Sequence, residues 1–558
     1  KRRETILENK DKALISKKLV TLKKDVPVKI KLDDFVIKNI DKDKLYEFLR
    51  EMEFNRLLSS VISQYGEPKF KEKDAPSLKG KEISSVDRTK YKLINKLEDI
   101  DNWIKDAEEK GELCIDTETT SLDPHLAELV GISLSTDIGK ACYIPLKHNG
   151  KDVLDANKVI QKIKPILEDK SIKKIGQNIK FDYIIFYHRG IIINSMEDTM
   201  LMSYVLDAGK NRHNMDTLSE LHLGHKTISY KDLVGSGKKQ LTFDQVEIKK
   251  ATEYAAEDAD VTFRLYKLLK KNLIREKIEN IYELFEKPLI KILANMEIQG
   301  VKVDDKFLNI LSKKFEKKIS AIEDKIFKIS KKKFNIASTK QLGEIMYEEL
   351  KIASMKKTKK GSYATSASVL EDLAFKGNEF PKLILEWRQI SKLKNTYSDA
   401  LQDHVEKKTE RVHTSFLLAA TNTGRLASSD PNLQNIPIKT VEGKEIRKAF
   451  IAEKKNILIS ADYNQIEMRI LADMADVKEL KKAFKNNEDI HSLTASQVFN
   501  VPIGKVDNDL RRKAKTINFG IIYGITQYGL AKQISVSNEE ALEFLKAYFK
   551  KFPEIKDY

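Results

Sequence analysis

The sequence predicts a multidomain protein of mixed α/β and α+β class. Between about residues 93 and 273, apolar strand-like runs alternate with helical segments, as in a sheet that is covered by helices. From about residue 281 the apolar residues follow helical spacing instead. The chain has 558 residues, several times the size of an ordinary single domain. We therefore expect an α/β domain followed by a strongly helical region.

The composition limits the class of protein further. Lysine and arginine number 101 against 84 acidic residues, a net charge of +17 that attracts polyanions such as nucleic acid. A lysine-rich composition without any such partner explains the charge equally well. The 2 cysteines cannot form a disulfide framework, which favours a reducing compartment. No apolar run approaches the roughly 18 residues of a membrane span, so we expect no membrane partner.

The segments on either side of the α/β region have their own patterns. Residues 1–65 have helical patterning, and the polar stretch from Asp74 to about Lys90 is typical of a linker. Between Leu311 and Ile329 apolar residues recur every three or four positions, which predicts a long helix with one apolar side. The lysines of this helix and the basic segment 355–362 form either a solvated face or a grip on a phosphate backbone.

Acidic residues in the α/β region fall into a chemically meaningful set. Asp116 and Glu118 follow a strand-like run, and alternate residues of a strand point to the same side. Asp182 comes later, and Tyr254 and Asp258 lie one helical turn apart in an alanine-rich stretch. Phosphodiester hydrolysis by two divalent metals about 4 Å apart requires such carboxylates, because Mg²⁺ prefers oxygen ligands. The alternative interpretation is that these acidic residues are solvated side chains on the surface of an α/β domain.

These segments resemble the three exonuclease motifs of the DEDD superfamily, in the subtype whose third motif is Tyr-x-x-x-Asp. The resemblance implies an RNase H-like domain with an active 3′–5′ exonuclease. By the same resemblance, Tyr254 would position the attacking water. The metal-binding carboxylates would be Asp116, Glu118, Asp182 and Asp258.

A second acidic site lies farther along the chain. The run 456–461 predicts a short buried strand that ends in Asp462, and helix-like spacing begins at Ile466. A carboxylate at the end of a buried strand suits a metal site. An N-cap of the following helix is an equally good interpretation of Asp462, because aspartate caps helices well.

A stripe of cations and aromatic rings follows on a later predicted helix. Arg511, Lys515, Phe519 and Tyr523 recur every four residues and therefore share one side of the helix. Two cations followed by two aromatic rings suit a nucleoside triphosphate, with its phosphates first and its sugar and base after them. An aromatic stripe that faces the core is the alternative, but it does not explain the two cations.

The segments around Asp462 and Arg511 resemble motifs A and B of family A DNA polymerases, and the resemblance extends to residues 421–437 and 488–491. It covers about residues 19–558 and implies a right-hand polymerase domain with thumb, partial palm and fingers. The implied enzyme is a DNA-directed DNA polymerase, a nucleotidyltransferase of DNA replication and repair. The 3′–5′ exonuclease would proofread its product. Two Mg²⁺ ions would serve each active site, with Mn²⁺ as a substitute.

The polymerase resemblance also implies residue roles. Asp462 would hold the catalytic metals, and Glu467 with Tyr523 would exclude a ribose 2′-hydroxyl. The nucleotide site would consist of Gln465, Glu467, His491, Arg511, Lys515, Phe519 and Tyr523. The primer–template contacts would be Arg425, Asn432, Gln434, Asn435, Lys392 and Lys394. Lys439 stands where the family would have arginine, so a bidentate phosphate contact there is in doubt.

The resemblance implies a domain order. Residues 1–30 would be the tail of an absent 5′-nuclease region, 31–90 a helical segment and linker, 91–275 the exonuclease domain and 276–558 the polymerase domain. The family's motif C, which carries the second palm carboxylate, has no match in the sequence. We therefore expect the chain to be a C-terminally incomplete part of a longer protein. A molecule that ended at Tyr558 would be expected to polymerise almost nothing.

We expect a monomer that acts on primer–template DNA and deoxynucleoside triphosphates. Its expected place is the bacterial cytoplasm, at the nucleoid, or an organelle matrix. Two other functions stay open: an exonuclease whose polymerase half only grips DNA, and a non-catalytic DNA-binding module. The complete exonuclease set argues against the module, and Phe519 and Tyr523 argue against a mere grip.

Overall fold

The computed structural model describes residues 10–23, 40–52, 54–66, 85–237, 240–352, 363–438 and 440–558. The basic segment 355–362 and Lys439 lie outside the described residues, as do parts of the expected nuclease tail and linker. The chain divides into two units, Lys1–Gly300 with His413–Asn435, and Val301–Val412 with Ile436–Tyr558. A search of the described helices finds none that is long and apolar enough to cross a membrane.

The described elements are numbered along the chain. The strands are β1 (Lys92–Leu93), β2 (Glu112–Thr119), β3 (Leu129–Asp137), β4 (Lys140–Pro145), β5 (Lys147–His148), β6 (Lys151–Asp152), β7 (Lys173–Gly176), β8 (Met196–Asp198), β9 (Val301–Lys302), β10 (Val405–Glu406), β11 (Arg411–Val412), β12 (Ser415–Leu417) and β13 (Ala427–Ser429). The helices of the first unit are α1 (Lys10–Val20), α2 (Lys42–Glu51), α3 (Asn55–Tyr65), α4 (Asp99–Lys110), α5 (Ala156–Glu168), α6 (Lys180–Tyr187), α7 (Thr199–Asp207), α8 (Met215–Leu223), α9 (Tyr230–Val234), α10 (Ile248–Arg275), α11 (Glu279–Ile281) and α12 (Lys287–Gln299). The helices of the second unit are α13 (Asp305–Ser330), α14 (Thr339–Glu344), α15 (Ala367–Phe375), α16 (Glu379–Leu393), α17 (Ala400–Asp403), α18 (Val441–Arg447), α19 (Ile466–Met474), α20 (Lys478–Lys485), α21 (Ile490–Val498), α22 (Asn508–Ile522), α23 (Gln527–Ile534), α24 (Asn538–Lys551) and α25 (Pro553–Asp557). Short π-helical turns at Tyr282–Glu286 and Lys394–Asp399 join neighbouring helices, and a third at Ile345–Glu349 continues α14.

The first unit is built on a mixed sheet in the order β1-β4-β3-β2-β7-β8. β3 is antiparallel to both β2 and β4, while β7 is parallel to β2 and β8. β2 is a central strand, so Leu113, Cys114 and Ile115 are buried as a continuous apolar run rather than an alternating one. The mixed sheet with its helices confirms the α/β pattern that the sequence predicts for this region.

Helix α10 packs along the central strands β2, β3 and β4. Ala251, Ala255 and Ala259 are fully buried on this helix, and their small side chains let the helix approach the sheet closely. The close approach brings Asp258, which precedes Ala259 on α10, toward the end of β2.

Two apolar clusters form the core of the second unit. In the first, Leu311, Phe315, Ile322 and Ile326 of α13 are buried against α16, while the lysines of the helix are exposed or half-buried. This confirms the long one-sided helix that the sequence predicts between residues 311 and 329. The second cluster joins helices α19 to α24.

The buried strand predicted at residues 456–461 is wrong. The segment has no regular secondary structure, and Ile457 and Ile459 are 80% and 82% exposed. A strand needs a neighbour that satisfies its backbone N–H and C=O groups, and none of the strands in the described ranges pairs with this segment. Its apolar pattern therefore has nothing to be buried against.

Asp198 ties together the starts of two helices in the first unit. Its buried carboxylate accepts hydrogen bonds from the N–H groups of Met200 and Leu201 at the start of α7. It also accepts from the N–H groups of Asn178 and Ile179, which immediately precede α6. Burial raises the pKa of Asp198 to about 6, and the four N–H donors oppose that rise.

We predict that Asp198→Ala lowers the free energy of unfolding of the first unit by about 3 kcal/mol, because buried N–H groups lose their acceptor. Urea unfolding at pH 7.5 in a Trp387→Phe background measures the change, because the remaining tryptophan, Trp103, is buried in the first unit. The control is Asp155→Ala, which removes one N-cap hydrogen bond from α5 and is expected to lower it by about 1 kcal/mol. Equal losses in the two variants would contradict the prediction.

Candidate functional site

Carboxylates from β2 and α10 meet in the first unit. Ligand oxygens of Asp116, Glu118 and Asp258 all lie within 4.8 Å of one another. Asp116 and Glu118 are two positions apart on β2 and so point to the same side, as the sequence predicts. Within the part of the chain that the structure describes, no other set of three or more His, Cys, Asp or Glu residues is grouped in this way.

Asp182 approaches the same carboxylates from the first turn of α6. Its side chain is buried, and its Oδ1 accepts a hydrogen bond of 2.5 Å from the Thr117 hydroxyl. Asp182 is not one of the three grouped carboxylates. Burial raises its pKa well above the usual range, and the negative charge of Asp116 raises it further.

The electrostatics of the cluster favour a cation. Burial raises the pKa of Asp116 to about 7, and it raises the pKa of Glu118 and of Asp258 well above the usual range. The charge of Asp116 adds to the rise at both of these neighbours. Glu118 Oε1 and Asp258 Oδ1 are buried and accept no hydrogen bond. Such oxygen donors fit a hard divalent metal ion, which supplies the missing partner.

Tyr254 lies one turn before Asp258 on α10, as the sequence predicts. Its ring packs against Phe243 and Tyr230. Burial, followed by the charge of Asp258, raises the pKa of Tyr254 well above its usual value. The phenol therefore stays protonated and can donate a hydrogen bond.

A cavity of about 780 Å³ opens in the first unit beside the start of α6. Asn178 and Lys180 line it on the α6 side, and Arg212 lines it from the loop before α8. Leu417 and Asn422, from the segment that includes β12, complete the wall. Lys180 itself is buried and paired with Glu297. The cavity thus combines amide and cationic groups with an apolar wall.

The predicted nucleotide stripe lies on an exposed side of α22. Ala514, Ile517 and Asn518 are the buried residues of this helix, whereas Tyr523 at its end is 63% exposed and Phe519 is half-buried. Arg511 and Lys515 are also exposed. The stripe therefore does not face the core, which removes the main alternative interpretation of its spacing.

Hydrogen bonds hold several residues of the predicted nucleotide site in place. Arg511 Nε donates to Asp489 Oδ2 at 2.6 Å, and the Tyr523 hydroxyl donates to Glu467 Oε1 at 2.7 Å. Burial alone would raise the pKa of Asp489, but the hydrogen bond from Arg511 lowers this pKa to about 2. Burial lowers the pKa of His491 to about 4, so this ring is neutral at pH 7.

Among the residues that the structure describes, the Asp462 carboxylate does not lie in a group of side chains that could bind a metal ion. It is exposed in the irregular segment that precedes α19, and it joins no group of acidic or histidine residues in the described ranges. The N-cap interpretation of Asp462 is also wrong, because Gln465, with a φ of 55°, occupies the N-cap position of α19. Without strand pairing at residues 456–461, no backbone ladder fixes the position of the Asp462 carboxylate.

The predicted DNA contacts fall in both units. Arg425, Asn432, Gln434 and Asn435 are exposed on or near the β12–β13 hairpin of the first unit. Lys392 and Lys394 lie at the end of α16 in the second unit, where Lys392 is exposed and Lys394 pairs with Asp399.

Three polar residues that support these sites were missed by the sequence reasoning: Thr117, Asp198 and Asp489. Each acts through a hydrogen bond to a residue that is distant in sequence. Thr117 lies between the two acids of β2, and Asp489 lies two residues before His491 in the segment 488–491 that the polymerase resemblance includes. These positions were the sequence signals for the two residues.

Comparison with known proteins identifies two families along the chain. The family described as 3′-5′ exonuclease matches residues 91–274, and DNA polymerase family A matches residues 305–558. DNA polymerase I of Rhizobium leguminosarum is 43% identical over 100% of this chain and 63% of its own length. DNA polymerase I of Pseudomonas aeruginosa is 40% identical over 99% of this chain and 60% of its own length. The solved POL domain of Pol1 from M. smegmatis, in complex with DNA primer-template and dNTP, has a TM-score of 0.71 at 29% identity and covers 84% of this chain and 77% of that chain.

The matches define an exonuclease domain followed by a polymerase domain, which confirms the predicted fold class. Residues 305–558 belong to DNA polymerase family A, and the chain as a whole is similar to bacterial DNA polymerase I along its full length. It spans about three fifths of the length of these curated relatives, 63% of one and 60% of the other.

We predict that the metal-free protein loses stability as the pH rises. Asp116, with a folded pKa raised to about 7, binds its proton more tightly in the folded chain than in the unfolded chain, where the pKa is about 4. Stability therefore falls between about pH 4 and 7. In EDTA at pH 8, Asp116→Asn is expected to raise the melting temperature by about 3–6 °C, and by less at pH 5.

Thermal unfolding in EDTA at both pH values measures this difference. The control is Asp155→Asn at the exposed start of α5, which is expected to change the melting temperature by the same amount at both pH values. If Asp116→Asn raises the melting temperature by the same amount at pH 5 and pH 8, the buried charge is not the cause of the rise.

Proposed function

We propose that the first unit is a metal-dependent 3′–5′ exonuclease that proofreads for a template-directed DNA polymerase. The polymerase would add deoxynucleotides to a primer 3′ end during DNA replication and repair. The observation that carries the proposal is the group of Asp116, Glu118 and Asp258 within 4.8 Å, with buried oxygens that lack any hydrogen-bond partner. A purely structural site would satisfy such oxygens.

Asp116, Glu118, Asp182 and Asp258 would hold two Mg²⁺ ions, or Mn²⁺ as a substitute. When bound, the ions supply a hydroxide nucleophile and stabilise the leaving 3′-oxygen of the cleaved phosphodiester. Tyr254 would donate its phenol proton to a hydrogen bond that orients the attacking water. It can do so at neutral pH because burial keeps its pKa high.

The cavity beside α6 would receive the end of a single DNA strand. Arg212 supplies a positive charge for phosphate, and Asn178 supplies amide groups next to the helix that carries Asp182. The apolar wall around Leu417 suits the face of an unpaired base.

The second unit would bind the incoming nucleotide along α22. Arg511 and Lys515 would contact the phosphates, with His491 beside them, and Phe519 and Tyr523 would face the sugar and base. Gln465 would join this site, and Glu467, held by Tyr523, would exclude a 2′-hydroxyl. Asp462 would hold the metals of the polymerase reaction.

The proposed partner is primer–template DNA, contacted through Arg425, Asn432, Gln434 and Asn435 in the first unit and Lys392 and Lys394 in the second. The M. smegmatis relative was solved with DNA primer-template and dNTP, and that supports the same partners here. We propose a monomer that works in the cytoplasm at the nucleoid.

We predict that Asp182→Ala reduces primer shortening by about 10²–10³-fold, the scale of losing one preorganised electrostatic contact at a reacting centre. A gel assay with a labelled primer–template that has a mismatched 3′ end measures shortening in Mg²⁺, with EDTA as the metal-free control. DNA binding, followed by fluorescence anisotropy, is expected to be unchanged. Asp155→Ala is the matched control and should shorten the primer like the parent chain. Persistent shortening by Asp182→Ala would refute the exonuclease assignment.

We predict that Lys515→Ala weakens the binding of a fluorescent deoxynucleoside triphosphate about tenfold, because one charge-assisted phosphate contact is lost. Fluorescence titration in Mg²⁺ measures the dissociation constant. Lys513→Ala is the control, because Lys513 lies off the stripe on the same helix and pairs with Asp509. Equal weakening by both variants would mean that α22 attracts the nucleotide only through its overall charge.

A further inference from the structure

Thr117 occupies the position between Asp116 and Glu118 on β2, where the chemistry of the two acids demands no particular residue. Its side chain is nonetheless engaged, because its hydroxyl donates to Asp182 Oδ1 at 2.5 Å. Thr117 is 8% exposed and Asp182 is 3% exposed, so little water competes for this hydrogen bond. The contact joins two segments that are 65 residues apart in the chain.

Asp182 depends on this contact more than the other acids do. Asp116 and Glu118 are fixed by the pairing of β2 with β3, and Asp258 lies within the long helix α10. Asp182 stands in the first turn of the short helix α6, whose start is held by Asp198 through the N–H groups of Asn178 and Ile179. Asp198 fixes the backbone of this turn, while the Thr117 hydroxyl restrains the carboxylate itself.

We propose that Thr117 is a positioning residue that holds the Asp182 carboxylate in the orientation in which it binds a metal ion of the exonuclease site. The inference rests on the proposed exonuclease function. By occupying one direction at Oδ1, the hydroxyl limits rotation of the carboxylate and leaves Oδ2 for the metal.

A merely structural role for Thr117 would change stability without changing metal binding. The test therefore measures Mn²⁺ binding in the absence of DNA, by electron paramagnetic resonance of the free ion, in the full chain. An Asp462→Asn background keeps the polymerase carboxylate from contributing. Thr117→Val removes the hydroxyl at nearly constant shape, and Thr117→Ser retains it. Thr227→Val is the matched control, because the Thr227 hydroxyl donates to Asp216 at 2.6 Å in the same unit.

We expect Thr117→Val to lower the affinity for one Mn²⁺ ion about tenfold, the scale seen when a group that orients a metal ligand is removed. Thr117→Ser should stay within about threefold of the parent, since it keeps the donor. Thr227→Val should bind Mn²⁺ like the parent, although both valine variants lose similar thermal stability. The Mn²⁺ concentration that gives half-maximal cleavage of a single-stranded oligonucleotide should rise in Thr117→Val alone.

Asp182→Ala serves as the reference for complete loss of the ion. If Thr117→Val binds Mn²⁺ like the parent while Asp182→Ala loses an ion, the role of Thr117 is refuted and the exonuclease function stands. If the parent binds no more Mn²⁺ than Asp182→Ala does, the exonuclease function is refuted and the inference falls with it.

A second pair of variants covers the case in which Thr117→Val fails to fold. Thr117→Ala and Thr117→Ser both lack the γ-methyl group and differ only in the hydroxyl. Weaker Mn²⁺ binding in the alanine variant than in the serine variant supports the proposal, and equal binding in the two refutes it.

Discussion

Burying several carboxylates side by side is the constraint on which the first unit depends. Desolvation and mutual repulsion both disfavour the ionised forms of Asp116, Glu118, Asp182 and Asp258. The surrounding fold must therefore hold these groups together in the absence of a cation. A central strand, a long helix packed on it through alanines, and a short helix preceded by residues that donate hydrogen bonds to Asp198 provide that rigidity.

Glu257, on the same helix α10 as Asp258, is a buried acid with a structural role. It is fully buried next to Asp258 in sequence, yet its carboxylate accepts hydrogen bonds from Arg88, His225 and the Ile228 N–H group. Asp258, by contrast, keeps a buried oxygen without a partner. Because neighbouring residues of a helix face different directions, one segment supplies both an anchor for the unit and a carboxylate of the proposed metal site.

Spacing along the sequence was enough to predict that Asp116 and Glu118 share one side of a strand and that Tyr254 lies one helical turn from Asp258, because strand alternation and the helical repeat fix neighbours over short distances. That these segments form one site was implied only by the resemblance to the exonuclease motifs. Spacing could not reveal Thr117, Asp198 or Asp489, whose partners come from other elements of the fold. It also could not decide whether Arg511, Lys515, Phe519 and Tyr523 face the core or the solvent, since periodicity identifies a side of a helix but not what covers it. The strand at 456–461 failed for a related reason, because an apolar run forms a strand only where another strand pairs with it.

The two proposed sites differ in how far their parts are already in place. In the exonuclease site, the carboxylates, the tyrosine and their supporting hydrogen bonds all come from one unit. In the polymerase part, the nucleotide side is organised by the Arg511–Asp489 and Tyr523–Glu467 contacts, whereas Asp462 lies on an exposed, unpaired segment. A strand paired with residues 456–461 would bury Ile457 and Ile459 and would fix Asp462 at a strand end. In the proposed polymerase site, the carboxylate of Asp462 is therefore the group whose position is not yet fixed, whereas the side chains along α22 are already held.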